Sequence, residues 1–294
     1  MHLLKNFSLT DASLILVAII WALNFSIVKI TLQEIDPYSF NALRYILAAA
    51  LIVVAAKRKG FSLKVKKEHF WKLVGIGIIG NLVYQLLFII GLDLTYSANA
   101  AVMLGSIPIW VALLSQFFTE EKLTPSKTIG VILAFIGVTF IIMGGGNELS
   151  FASDSFKGDL ITLLAAIAWG VYTILSKKYL KFYNSTQYSA FMSIVGMIAL
   201  LLVGAPFLVK LDFSQISPGG YGGIIYSGLL SVGVAYLIWN NGINKIGAVR
   251  TAAYQNLVPV LGLIFGVLIL DEALTILQYI GSIFVIIGII QTRK

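Results

Sequence analysis

The chain has no cysteine, so disulfides, thiolate metal sites and cysteine nucleophiles are excluded together. Its only histidines, His2 and His69, fall in the N-terminal tail and in a basic loop. No histidine-based metal site or general base is therefore expected in the apolar part of the chain. Charge is scarce too: Asp, Glu, Lys and Arg make up 12% of 294 residues, about half the share of a soluble domain. Asp93, Glu120, Glu121, Asp271 and Glu272 stand at the ends of apolar runs and none lies deep within one, which leaves proton coupling through a buried carboxylate without support. With no phosphate-binding loop, metal constellation or buried acid–base pair, the expectation is a protein that is not an enzyme and needs no cofactor.

What is present is hydrophobic: 59% of residues, with a mean hydropathy of +0.93. The apolar residues gather in runs of about twenty, the length that crosses a hydrocarbon core of about 30 Å. The runs cover roughly 12–31, 38–56, 70–91, 96–118, 125–144, 158–177, 187–209, 220–240, 248–270 and 275–291. The fold class expected is an all-α polytopic membrane protein of ten transmembrane helices. The first run is full length and polar-flecked, unlike the short apolar core of a signal peptide.

The net charge of +8 would suggest nucleic acid in a soluble protein; here the excess cations serve topology and no nucleic-acid partner is expected. With the N-terminus inside, seventeen Lys and Arg fall on the cytoplasmic side, including the cluster from Lys57 to Lys72, and three (Lys29, Lys157 and Lys210) fall outside. By the positive-inside rule both termini are cytoplasmic, in a multi-pass protein of the plasma membrane.

The chain also repeats itself. At an offset of 148, Asp11, Ala18, Trp21 and Lys29 match Asp159, Ala166, Trp169 and Lys177. At an offset of 151, Gly91, Pro108, Glu121 and Gly137 match Gly242, Pro259, Glu272 and Gly288. Two halves follow, residues 1–146 and 147–294, each with five segments. An odd number makes the second half enter the membrane from the opposite side. Inverted repeats place a substrate site near the midplane between them and provide two alternating states.

Polar side chains at membrane depth usually face a bundle interior or a wet cavity. The first segment carries Trp21, Asn24 and Phe25 at helical spacing, the third Asn81, Tyr84 and Gln85, and the fourth Asn99 and Met103. The sixth carries Trp169 and Tyr172, the eighth Tyr236 and Trp239, and the ninth Tyr254 and Gln255. They line a substrate cavity of rings and amides, or else they are interfacial anchors and helix-bridging amides. Arg44, in the second segment, either snorkels outward or meets an anionic group of the substrate. Lys29 and Lys177 end their helices and read as anchors. Pro108 and Pro259 should kink the fourth and ninth segments, as shape or as hinges. The fifth and tenth segments present Gly130, Gly137, Gly281 and Gly288, small faces for a scaffold or a homodimer contact.

The run Ala18-Ile-Ile-Trp-Ala-Leu-Asn-Phe-Ser-Ile-Val-Lys29, Ala42-Leu-Arg-Tyr45, and the block from Gly91 through Pro108, Glu121, Leu123, Thr124 and Gly137 resemble EamA-type members of the drug/metabolite transporter superfamily. The block recurs as Gly242 through Pro259, Glu272, Ala273, Leu274, Thr275 and Gly288. The resemblance covers nearly the whole chain. It implies ten helices in two repeats and a carrier of small metabolites, often an exporter of amino acids or related compounds. One departure is Met192, which stands where the first half has Arg44. The function expected is a secondary transporter working by alternating access on a small amphipathic or aromatic solute. The alternative is a flippase or other protein handling lipid head groups.

Overall fold

The computed structural model describes residues 7–95, 97–120, 123–144, 153–270 and 274–292. Glu121, Asp271 and Glu272 lie outside them. Every regular element among the described residues is helical: α1 (Leu9–Thr31), α2 (Pro37–Arg58), α3 (Lys67–Leu94), α4 (Ser97–Gly105), α5 (Ile107–Phe118), α6 (Pro125–Gly144), α7 (Ser153–Tyr179), α8 (Ser185–Leu208), α9 (Pro218–Ile246), α10 (Ala248–Ala253), α11 (Leu257–Leu270) and α12 (Ile276–Thr292). Seven of these, α1, α2, α3, α6, most of α7, α8 and α9, are long and apolar enough to cross a membrane. The protein is therefore an all-helical, multi-pass membrane protein.

The helix starts are written locally. Ser8 and Asp11 form a reciprocal capping box on α1, and Thr275 and Gln278 form another on α12. Asp36 accepts from the amides of Tyr38 and Ser39 ahead of α2, with Pro37 at its first position. Asn184, 148 residues later, accepts from the Thr186 amide ahead of α8. Such caps satisfy amides that the helix itself leaves orphaned, each contributing about 1 kcal/mol.

Within α3 and α9 the chain widens into π turns at Ile79–Val83 and Ser227–Val234, positions that overlap at the repeat offset of 151. The breaks before Pro108 and Pro259 also correspond. Ser106 separates α4 from α5, and a 3₁₀ turn at Tyr254–Asn256 separates α10 from α11. Proline has no N–H to donate and its ring crowds the carbonyl four residues back, so the expected kinks are present as full interruptions.

Helix packing recurs at the same offsets. α1 packs on α9 as α7 packs on α3, α2 on α9 as α8 on α3, and α1 on α11 as α7 on α5. The loop after α1 holds the start of α9, because Glu34 accepts from the Ser217 amide and hydroxyl, both at 2.8 Å. These bonds hold the Glu34 carboxyl below its ordinary range, the backbone amide contributing most. In the other half, Tyr183 accepts from the Lys66 amide at 3.1 Å, at the start of α3.

The glycine faces of α6 and α12 meet each other within one chain. A Cβ on Gly137 would stand 2.6 Å from the carbonyl oxygen of Gly281, and one on Gly130 2.6 Å from that of Gly288. The scaffold role expected of these helices is thus served inside the chain, and any homodimer contact is left to their outer faces, where Ile129, Ile132, Ile283 and Ile286 are exposed. Gly137→Leu should lower stability in detergent by at least the 1–3 kcal/mol typical of overpacking, read as a fall in melting temperature; Ile132→Leu, on the outer face, should leave it unchanged.

Candidate functional site

A cavity of about 490 Å³ lies between α1, α2, α3, α7, α9 and the break at α10–α11, within the size range of small-molecule sites. The α1 residues that line it run from Trp21 to Ser26, the half of that helix away from Asp11. Of the residues singled out in the sequence, Trp21, Asn24, Phe25, Arg44, Tyr84, Gln85, Trp169, Tyr236 and Gln255 border this space, as does Pro259. Leu104 and Gly105, not anticipated, complete one wall.

Trp169 is the centre of an aromatic floor. Its ring lies 4.6 Å from that of Tyr84, 5.1 Å from Tyr236, 5.8 Å from Trp239 and 6.1 Å from Trp21. The Trp21 indole donates to the Ser231 carbonyl at 3.0 Å. That carbonyl is free because the π turn sends the Ala235 amide to Leu230, five residues back. The indole nitrogens of Trp169 and Trp239, the Asn24 carbonyl oxygen and the Gln255 carbonyl oxygen have no partner within the protein among the described residues.

Arg44 does not snorkel. It is 2% exposed and turns into the bundle. Nε and Nη2 donate to Asn41 Oδ1 at 2.9 and 2.5 Å, Nη1 donates to Ser227 Oγ at 3.1 Å, and Nη2 also donates to Gln85 Oε1. Gln85 in turn donates to Tyr236 at 2.7 Å and to Tyr45 at 3.1 Å. Ser227 comes within reach because α9 runs hard against α2 there; a Cβ on Gly228 would sit 2.7 Å from the Arg44 carbonyl oxygen. No carboxylate among the described residues pairs with Arg44.

Five expected lining residues stand elsewhere. Asn81 is buried behind the wall, accepting from Tyr45 at 3.1 Å and donating to the Gly77 carbonyl. Tyr172 is behind Trp169 and pairs with Asn240, and Trp239 lies beneath Trp21 and Trp169, outside the lining. Met103 does not reach the cavity, and Tyr254 points the other way, to Asp11. Helical spacing defines a stripe, and a stripe on a tilted helix meets different neighbours along its length. The Asn99 side chain lies outside what is described.

Asp11 is the residue the sequence pattern missed. It stands one turn into α1 yet is fully buried. Its carboxylate accepts from Arg250 Nη2 and the Tyr254 hydroxyl, both at 2.5 Å, and from the Ser8 amide and hydroxyl at 2.8 and 2.7 Å. A usable signal existed: Asp11 shares the heptad stripe of Leu14, Ala18 and Trp21, which faces the interior. Its repeat counterpart Asp159 is 4% exposed and accepts from Thr95 at 2.5 Å. Beyond Arg250, on the side away from the cavity, lies a basin of about 1040 Å³ rimmed by Lys127, Lys177, Lys178, Lys181 and Lys245. Lys177 also donates to the Ile243 carbonyl at 3.0 Å, consistent with an anchor at the end of α9.

The profile of the EamA-like transporter family matches the chain twice, over residues 8–143 and 156–293. The uncharacterized transporter YyaM of Bacillus subtilis is 28% identical over 90% of this chain and 87% of its own length. An uncharacterized transporter of Archaeoglobus fulgidus is 31% identical over 93% and 95%. A probable amino-acid metabolite efflux pump of Escherichia coli is 28% identical over 94% and 91%. A solved structure titled only as the crystal structure of a protein matches 96% of this chain and 94% of its own, with a TM-score of 0.81 at 20% identity, a likeness of fold. Two profile matches that together span nearly the whole sequence, and transporters matched almost end to end, show that the chain belongs to the EamA-like transporter family.

Proposed function

We propose that the protein is a secondary transporter that exports small metabolites, amino acids or related amphipathic and aromatic compounds, by alternating access. One observation carries this reading: a cavity walled by rings and amides and a second, more open basin share no lining residue and border opposite ends of residues 248–256, which in this reading form a septum between them. Arg250 lines the basin and Gln255 lines the cavity, so the two spaces stand a few residues apart on one interrupted helix.

In this reading the fold is ten membrane helices in two inverted halves, residues 1–146 and 147–294, with both termini in the cytoplasm and the basin facing it. The matching π turns, proline breaks and reciprocal packings support the two-fold relation. Pro108 and Pro259 act as hinges, since the interruptions beside them free backbone that a continuous helix would hold rigid. The Asp11–Arg250–Tyr254 contact closes the cytoplasmic end in the conformation described. The substrate leaves its hydration shell for ring faces and the amide side chains of Asn24, Gln85 and Gln255 that border the cavity. That an Escherichia coli relative is named as a probable amino-acid metabolite efflux pump favours this cargo class over lipid head groups.

In proteoliposomes, counterflow of a labelled amino-acid panel should saturate, and Trp21→Ala should cut its rate by at least tenfold while the protein stays monodisperse. Lipid scrambling without solute counterflow would instead support head-group handling.

The septum makes its own prediction. The chain has no cysteine, so Val258→Cys reports access to the cavity without background. A membrane-impermeant maleimide should label it poorly from the basin side. Adding Asp11→Asn, which removes the carboxylate's charge while keeping its size, should raise labelling from that side several-fold; unchanged labelling would remove the Asp11 contact from the closure.

A further inference from the structure

The cavity has a feature that general carriage of amphipathic solutes does not require. Among the residues bordering it Arg44 is the one with a formal charge, and among the described residues no carboxylate neutralises it. Its neighbours are neutral. Asn41, Gln85 and Ser227 take four of the five guanidinium hydrogens, leaving one hydrogen on Nη1. The bonds satisfy donors, and the Phe40 ring centroid 5.0 Å from Cζ faces the cation, but no anion among the described residues neutralises it. A glutamine at this position could tie α2 to α3 and α9 with no charge to desolvate, and burying an unpaired cation is among the costlier things a membrane protein can do. The second half holds Met192 at the corresponding place, so the scaffold does not need a cation there.

We infer that Arg44 is the recognition point for an anionic group on the cargo, and that the transported class is the monocarboxylate with an apolar or aromatic body. The inference rests on the carrier reading above and narrows it. One positive charge is neutralised by one negative charge. A dianion would leave a net charge in the apolar wall, and a neutral or cationic solute would leave Arg44 uncompensated. The hydrogen left on Nη1 gives a carboxylate one charge-assisted donor, and Gln85 and Tyr236, themselves in the lining, hold the guanidinium through a hydrogen-bonded chain. No acidic residue borders the cavity. An ammonium group, where the cargo has one, meets no carboxylate in this lining, only amide side chains and rings. The carboxylate is therefore obligatory and the amine optional, which separates this proposal from amino-acid carriage as such.

Trp21 and Trp169 border the cavity, so intrinsic fluorescence reports its occupancy. Purified protein in detergent is titrated with 3-phenylpropanoate, with its amide, and with 2-phenylethylamine. The carboxylate should quench saturably, and the amide and the amine should bind at least tenfold more weakly. Arg44→Gln should abolish that preference, and Arg44→Lys, which keeps the charge and loses the hydrogen bonds that orient it, should retain it at lower affinity. Equal titration by the carboxylate and its amide, preference for the amine, or no saturable response to the carboxylate would each overturn the proposal. The comparison among ligands uses the unaltered protein, so it decides the matter even where Arg44→Gln fails to fold. Counterflow of neutral or cationic solutes without the carboxylate would overturn the role of Arg44 while leaving the carrier reading intact; absence of any counterflow would remove both.

Discussion

In hydrocarbon a polar group that lacks a partner inside the protein has no water to turn to, and the arrangement of the interior follows from this constraint. The Trp21 indole is satisfied because a π turn in α9 releases the Ser231 carbonyl. Arg44 is held by an amide, a hydroxyl and a second amide drawn from three helices. Asp11 collects a guanidinium, a phenol and its own capping serine. Each arrangement ties helices that are far apart in sequence, so the polar contacts set helix spacing as much as apolar packing does. Some buried groups stay without a partner among the described residues, and three of them belong to residues that line the cavity, Asn24, Trp169 and Gln255.

A repeated frame carries chemistry that does not repeat. π turns, proline breaks, helix caps and packings recur at offsets of 148 and 151 residues, and Gly137 and Gly281 approach each other's backbone reciprocally. The polar cluster does not recur. Met192 stands where Arg44 does, and Gln85 and Tyr236, which occupy corresponding places, meet in one hydrogen bond of 2.7 Å. These two equivalent positions stand side by side in the cavity wall, so the difference between them is a difference within the site. A site of this kind has a charged side and a neutral side, and can orient an amphipathic solute between them.

Much of this was legible in the sequence. Apolar runs of membrane length, the glycine faces of α6 and α12 and the proline breaks all follow from local chemistry, because the groups involved act within a turn or two of one another. Nine of the fifteen residues read as binding residues border the cavity, since the interior face of a helix can be found from its period. The remainder depended on which helix stands opposite. Asn81, Tyr172, Trp239 and Tyr254 share the right stripe but meet Tyr45, Asn240, Trp21 and Asp11, partners 36 to 243 residues away.

By itself, the sequence determined that the protein lives in lipid, that it is helical, that it repeats, and which residues are too polar to face the bilayer. Only the tertiary structure decided that Arg44 turns inward with no carboxylate partner among the described residues, that Asp11 is buried against Arg250, and that cavity and basin border different residues of one interrupted helix. Hydropathy and helical period are properties of one segment read alone. Whether a charge is paired or bare depends on the side chains that other segments bring within about 4 Å of it, and no single segment carries that information.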